Sequence, residues 1–454
     1  MYSVVEARRH KQADRYPVGT FLVGVFRLLV AYRLELSLLA GSVAIWRLTS
    51  PLTGGTGATL VLTSIMALVL GIPRPRQLLV RAAKAAHIRR RWVRACRSTG
   101  VVTIDDRVPR PVRVRAIPAG YELHTSLPRG LTASMLEDAS EVLAGALRIR
   151  DLRIQRADEK ASRAHVSLIT RDPLGGTQSI PWPNRKAAQL SIWDPVPVGL
   201  DEFGETACVR LPERNLLMGG EPGAGKSVAL SMLVATAALD PACRLWLFDG
   251  KLVELAPWRD FAFRNVGPDV AEANEVLREL RDEMDRRYQL LLASRRRKVA
   301  EGDGFPLEVV VCDELAMYLS VGDRKLRTEF TELMRDLVAR GRAAGVIVLA
   351  VTQKPSHDVI PTSLRDLFGF RWALRCSTPH ASDTVLGQGW ASQGLSSSVI
   401  DPSQRGVGLL LHEGGLPVRV RAFHLSDDDL DEIATRAALV RASHEESVRL
   451  MGAM

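Results

Sequence analysis

The stretch Gly220-Glu221-Pro222-Gly223-Ala224-Gly225-Lys226-Ser227 decides how the rest of the chain is read, because it fits G-x-x-x-x-G-K-[ST] at every fixed position. The apolar run Leu216-Leu217-Met218 enters it as a buried strand would. Val228 to Leu239 leaves it as a helix, rich in Ala, Leu and Met and free of Gly and Pro. Strand, loop, helix is the context the motif requires. Glycines let backbone N–H groups turn inward around β- and γ-phosphates, and the helix N-terminus adds partial positive charge. Lys226 neutralises phosphate oxygens and Ser227 holds Mg²⁺. The pattern predicts an ATP site lined by Gly220, Glu221, Pro222, Gly223, Ala224, Gly225, Lys226, Ser227 and Val228. The competing reading is a glycine-rich turn that happens to contain Lys-Ser; it leaves the flanking strand and helix unexplained.

A nucleotide site of this kind needs a second, acidic element. Glu308-Val309-Val310-Val311-Cys312-Asp313-Glu314 reads as a buried parallel strand ending in two carboxylates. On the P-loop template Asp313 holds Mg²⁺ through water and Glu314 orients the attacking water, so hydrolysis is the expected chemistry. Adjacent acids at a strand end also cap helices, and that is the alternative. Gln353 ends the apolar run Val346-Ile347-Val348-Leu349-Ala350-Val351-Thr352. It is read either as a γ-phosphate sensor or as a plain strand terminator. Arg340, Arg342, Arg365, Arg371 and Arg375 follow the loop in sequence. Some of them suit action in trans on a neighbour's nucleotide, with Arg342 and Arg371 carried forward, although for any single one a solvated or salt-bridged role is the default.

The 454 residues carry a formal charge of +10, and that charge is unevenly placed. Residues 1–100 hold 16 Lys+Arg against 3 Asp+Glu, leaving 45 against 48 beyond them. Such asymmetry argues first for membrane topology and only second for a DNA-binding face. Residues 1–33 read as a basic cytoplasmic tail and 34–73 as two transmembrane helices. The firmer span is the uncharged run 51–72, about 33 Å as helix against a hydrocarbon core of about 30 Å. A buried helical hairpin is the alternative. Basic flanks on both sides place both termini in the cytoplasm, in a multi-pass inner-membrane protein. Residues 74–100 then form a basic juxtamembrane helix, against anionic headgroups or as a solvated linker. The five cysteines show no metal or redox spacing and read as reduced.

Residues 101–171 change texture to short alternating segments around a helix, a small α+β domain. Residues 172–197, with Gly175-Gly176 and five prolines, read as a linker. In residues 198–430 strands and helices alternate, which implies a parallel sheet covered on both faces. The expected fold is therefore α/β: a RecA-like P-loop ATPase core, a small α+β domain before it and an N-terminal transmembrane hairpin. Residues 431–454 remain as a helical tail.

Together the motifs resemble the FtsK/SpoIIIE family of hexameric double-stranded DNA translocases, especially its plasmid-transfer branch in mycelial bacteria. The resemblance covers about residues 113–430. It rests on the loop with its flanks, on Asp249-Gly250-Lys251 with Glu254-Leu255-Ala256-Pro257-Trp258, and on Glu283-Met284-Asp285-Arg286-Arg287-Tyr288. The acidic strand, Arg342-Ala343-Ala344-Gly345, Ala350-Val351-Thr352-Gln353-Lys354-Pro355 and Pro417-Val418-Arg419-Val420 complete it. The small domain, ring-forming by this resemblance, carries Leu127-Pro128-Arg129-Gly130. Two departures stand out: Asp249-Gly250-Lys251 where relatives usually have Asp-Pro-Lys, and Ala381-Ser382-Asp383-Thr384 where they show Asp-Ser-Arg-Thr.

The resemblance implies a membrane-anchored, ATP-hydrolysing homo-oligomer, a hexameric ring that passes double-stranded DNA through its pore in conjugative transfer, with other transfer proteins as further candidate partners. Chromosome segregation at division and protein secretion are the rival functions. DNA would be gripped through phosphates without base readout, with Arg324, Lys325 and Arg327 and the run Arg295 to Lys298 as candidates, or else as solvated faces. Beyond Leu430 only 24 residues remain, too few for a three-helix reader of DNA sequence, so strong sequence preference is not expected.

Overall fold

The computed structural model describes residues 33–157, 160–176, 178–212, 214–353, 355 and 360–452. The expected tail lies outside them except for Arg33, as does Lys354. The chain divides into two units, Met1–Arg171 and Asp172–Met454.

In the first unit α1 (Arg33–Gly71) occupies the stretch expected to hold two spans, and α2 (Pro73–Ser98) follows. Among the described residues no helix is long and apolar enough to cross a membrane. This corrects the expected transmembrane hairpin and the multi-pass membrane location with it. The sequence shows the physical reason: Pro51 lies inside α1, and Gly54 breaks its regularity at φ 70°, ψ 168°. Threonines add polarity, Thr49, Thr53, Thr59 and Thr63 each donating to the carbonyl four residues back. Absence of charge over 51–72 is therefore not the same as an apolar surface.

The far half of α2 packs one face into a core. Ile88, Trp92, Ala95 and Cys96 are buried, and the Trp92 indole donates to the Pro109 carbonyl at 2.9 Å. These four recur at helical spacing, so the apolar stripe packs, while Arg89 and Arg91 donate to the Val112 and Leu147 carbonyls. Burial pushes the Cys96 thiol up to about 12, which makes it a packing residue. The stripe faces strands β1 (Arg110–Ile117), β2 (Gly120–Ser126), β3 (Asp151–Arg156) and β4 (Arg163–Ile169), an antiparallel sheet ordered β1-β2-β4-β3. Short helices α3 (Ala133–Asp138) and α4 (Ser140–Leu147) join the same core, where Leu123, Leu136, Leu143 and Val166 are fully buried. Each such side chain contributes about 1.5–3 kcal/mol.

The second unit is built on one ten-stranded sheet. Its strands are β5 (Val196–Asp201), β6 (Thr206–Val209), β7 (Leu216–Gly219), β8 (Cys243–Phe248), β9 (Arg264–Val266), β10 (Leu307–Cys312), β11 (Val346–Thr352), β12 (Phe370–Leu374), β13 (Val407–His412) and β14 (Val418–Ala422). Their order is β6-β5-β14-β13-β12-β7-β11-β10-β8-β9. From β12 to β9 every pairing is parallel, and from β12 outward to β6 every pairing is antiparallel. The expected wholly parallel sheet is corrected to a mixed one, because β13, β14, β5 and β6 add to β12 by successive antiparallel pairings. Helices α5 (Lys226–Ala238), α6 (Val270–Ala293) and α8 (Arg324–Ala344) make the crossovers, and α7 (Leu315–Ser320) follows β10. Strands β7, β10 and β11 are buried at every residue, as sheet strands covered on both faces must be.

The stretch read as a linker packs onto this core: Trp182 and Ile192 are fully buried, and the Trp182 indole donates to the Pro197 carbonyl at 2.9 Å. Short helices α9 (Thr362–Arg365) and α10 (Pro379–Leu386) flank β12. The last helix, α11 (Asp427–Gly452), opens on a capping box in which Ser426 and Asp429 exchange backbone N–H bonds. Its Arg441 donates to the carbonyls of Ala238 and Cys243, both at 2.8 Å, tying the helix to the ends of α5 and β8.

Candidate nucleotide-binding site

Parallel strands leave their C-terminal ends and the following loops at one edge of a sheet, and that edge is where this site forms. β7 runs straight into the glycine loop. Gly223 has φ 78° and Gly225 φ 100°, both in the left-handed region. A Cβ on Gly225 would also lie 2.9 Å from the Gly406 nitrogen, so the loop needs glycine there for two independent reasons. Lys226 begins α5 and is 6% exposed. Its ammonium donates to the loop carbonyls of Gly220 at 2.8 Å and Glu221 at 2.7 Å. Burial pushes that ammonium below the usual lysine value, with Glu314 acting in the opposite direction. Ser227 and Val228 follow on the first turn, half-buried.

The loop is anchored on both sides. Gly220 N–H donates to the Thr352 carbonyl at 3.3 Å, and Glu221 N–H to the Arg375 carbonyl at 2.9 Å. The Arg375 guanidinium also pairs with the Glu221 carboxylate. Ala224, buried, accepts from the Gly406 N–H at 2.9 Å. Pro222 and Gly223 at the tip are exposed.

The acidic pair stands two strands away from β7, with β11 between. Asp313 follows the last residue of β10 and is 2% exposed. Its carboxylate accepts from Lys251 Nζ at 3.1 Å. Burial pushes the Asp313 carboxyl up to about 6, against the pull of Lys251. Glu314 Oε1 accepts from the Thr352 hydroxyl at 3.2 Å and the Gln353 N–H at 3.1 Å. One edge thus gathers the loop, Lys226, Asp313, Glu314 and Gln353 from three strands.

Lys251 was noted in the sequence only as part of a motif, without a role. It lies just beyond the end of β8, and β8 pairs with β10 in parallel, Phe248 opposite Cys312. That adjacency carries Lys251 to Asp313, and nothing local in the sequence shows it.

The structure does not bring Arg342 or Arg371 to this edge. Arg342 lies in the last turn of α8, just before β11 begins, with its guanidinium 3.8 Å from Glu413. Arg371 lies near the start of β12 and donates to the Leu386 carbonyl at 3.0 Å and the Phe368 carbonyl at 3.3 Å. Burial lowers its guanidinium below the usual value, with Asp366 opposing. The proposed grip residues are also separated. Arg324, Lys325 and Arg327 open α8 on the site's side of the sheet, whereas Arg295 to Lys298 follow α6 at the opposite ends of the strands, where Val299 N–H meets the Ala343 carbonyl at 2.8 Å.

Residues 190–405 match the sequence model of the FtsK/SpoIIIE family. This chain carries an FtsK/SpoIIIE domain. It is a P-loop ATPase domain, consistent with an ATP site. The chain is 27% identical over 394 residues to a DNA translocase FtsK of Bacillus cereus, covering 80% of this chain and 46% of that protein. It is 27% identical over 343 residues to the DNA translocase SpoIIIE of Bacillus subtilis, covering 69% and 41%. The chain thus spans less than half the length of these curated relatives. Among solved structures, the pCW3 conjugation coupling protein TcpA, determined as a monomer with ATPγS, superposes with a TM-score of 0.51 at 20% identity. That match covers 78% of this chain and 99% of that one, and it shows a shared fold.

Proposed function

We propose that this FtsK/SpoIIIE domain hydrolyses ATP to drive double-stranded DNA through a hexameric ring of identical chains, and that it serves conjugative transfer. The observation that supports this most is the convergence of Lys226, Asp313, Glu314 and Gln353 on one sheet edge. The curated relatives' description as DNA translocases supplies the substrate. The conjugative setting rests on the motif resemblance, in company with a coupling protein of like fold.

The donors available fit Mg²⁺: a hydroxyl from Ser227 and a buried carboxylate from Asp313 are hard oxygen ligands. Bound there, the ion would neutralise charge on the β- and γ-phosphates. Lys226 exchanges its loop carbonyls for phosphate oxygens, Lys251 releases Asp313, and Glu314 orients water from a position fixed by Thr352 and Gln353. Gln353, whose backbone N–H donates to Glu314, would report on the γ-phosphate through its side-chain amide. Arg342, exposed and remote from its own site, is a candidate for action on a neighbour's nucleotide. The several bonds Arg371 makes to carbonyls of its own chain suit a structural part. Arg324 and Lys325, on the site's side of the sheet, are the better DNA contacts, and other transfer proteins are further candidate partners.

The test is ATP turnover of the purified chain with and without linear duplex DNA. Stimulation by DNA of any sequence, weakening steeply as salt rises, is expected. Stimulation by a polypeptide and not by DNA would move the domain to the protein-secretion branch. Sedimentation with ATPγS checks the hexamer.

A further inference from the structure

The small sheet of the first unit has two unlike faces. Leu123 and Val166 point into the helices and are fully buried. The other face carries Glu122 and His124, two residues apart on β2 and therefore on one side of it, and His165, the direct cross-strand partner of His124 on β4. β2 and β4 are the two central strands, each paired on both sides.

Three ligand-type atoms converge there. Glu122 Oε2 lies 3.8 Å from His124 Nε2, Glu122 Oε1 lies 4.0 Å from His165 Nδ1, and the ligand atoms of the three side chains lie within 4.8 Å of one another. The imidazoles meet edge to face, centroids 4.5 Å apart. These separations are too long for hydrogen bonds, which would draw the groups to about 2.7–3.2 Å. Donors around a tetrahedral ion with bonds of about 2.0–2.1 Å stand roughly 3.4 Å apart, so the observed gap needs only a small inward adjustment. His165 Nδ1 is buried and has no hydrogen-bond partner. The chemistry also decides: two imidazoles and one carboxylate suit a borderline cation such as Zn²⁺, with a position left for water, and do not suit Mg²⁺. Arg115, 3.7 Å from Glu122 Oε2 and 55% exposed, pairs with the carboxylate from the solvent side.

We propose that Glu122, His124 and His165 form a binding site for a divalent transition-metal ion of the Zn²⁺ class. The site uses none of the residues assigned to ATP and stands or falls apart from the translocase reading.

Full-length protein, free of nucleotide, is titrated with Zn²⁺ by calorimetry and with Co²⁺ by visible absorption. One ion per chain should bind with a dissociation constant of about 100 µM or tighter. Co²⁺ should develop the intense bands of low-coordinate cobalt. The His124→Ala/His165→Ala variant, checked for fold by circular dichroism, should lose at least about tenfold in affinity and the cobalt bands. Should that pair not fold, His124→Gln keeps size and polarity and should show the same loss. Weaker wild-type binding than stated, or equal affinity and stoichiometry in wild type and variant, overturns the proposal.

Discussion

Strand β10 carries a carboxylate near each end, and the two are treated in opposite ways. Glu308, at its start, is fully buried and bonded through both oxygens. Arg287 and Arg244 pair with Oε1, and the Trp246 indole donates to Oε2 at 2.7 Å. Asp313, just past its end, is nearly as buried but accepts from a single lysine. Burial pushes both carboxyls above their usual value. A buried carboxylate with both oxygens engaged by fixed donors holds structure. One with positions left over and a displaceable partner is available to a ligand. The two edges of the sheet therefore have different work, holding at one and reacting at the other.

The largest effect expected from this contrast is on turnover at the reacting edge. Lys226→Ala should cut ATP hydrolysis about a thousandfold or more, about 4 kcal/mol, while circular dichroism and unfolding midpoint stay close to wild type. Glu314→Gln should bind ATP and fail to turn it over. Near-normal rates in either purified variant would remove the assignment.

Glu308→Gln tests the holding edge and should do the reverse. The amide keeps one acceptor oxygen, so its NH2 must face either the two arginines or the Trp246 indole, donor against donor at a fully buried position. A destabilisation of about 1–3 kcal/mol in denaturant unfolding is expected from that mismatch, with turnover per folded molecule unchanged. An amide tolerated without loss would show that the arginines, and not the carboxylate, order this end.

Asp313→Asn should instead stabilise the nucleotide-free protein while removing activity. The folded carboxyl titrates at about 6, above an unfolded value near 3.9. The folded state therefore binds this proton more tightly, and the cost of burying the charge is felt in full above about pH 6 and fades toward pH 4. A gain of about 1–3 kcal/mol at pH 8, shrinking at pH 5, is the expected result. Equal gains at both pH values would contradict the raised carboxyl.

How much of this could be read without coordinates depends on distance along the chain. The phosphate loop is eight consecutive residues, and its backbone needs are local, as the left-handed Gly223 and Gly225 show. The acidic strand was legible from its apolar run. Lys251 beside Asp313 was not, because strand order is set by long-range pairing. For the same reason the antiparallel half of the sheet was missed. Trp92 was hidden differently: Arg89, Arg90, Arg91 and Arg94 dominate the composition of α2, yet Ile88, Trp92 and Cys96 keep a helical stripe that counting charge alone ignores. The reverse error occurred at α1, where absence of charge concealed Pro51 and Gly54.

The smallest effect sharpens the comparison most by its sign. Glu283 on α6 joins the cluster around Glu308 and is 18% exposed. Its burial favours the neutral form, but hydrogen bonds from Arg286 and Arg287 outweigh that and hold the carboxyl at about 2. Arg286 is 58% exposed and contributes little, so most of the benefit comes through the buried Arg287. With a folded value below the unfolded one, the stability from Glu283 is present above about pH 4.3 and is lost as pH falls toward 2. Glu283→Gln should thus cost about 1 kcal/mol at pH 7 and progressively less between pH 4 and pH 3, read from urea midpoints. Asp313→Asn changes with pH through a higher window, with its benefit disappearing as the acid range is entered. A Glu283→Gln difference that stays constant or grows on acidification would mean that its arginines hold the group by packing rather than by charge, and the distinction between an engaged and an available carboxylate would then lose its electrostatic basis at this edge.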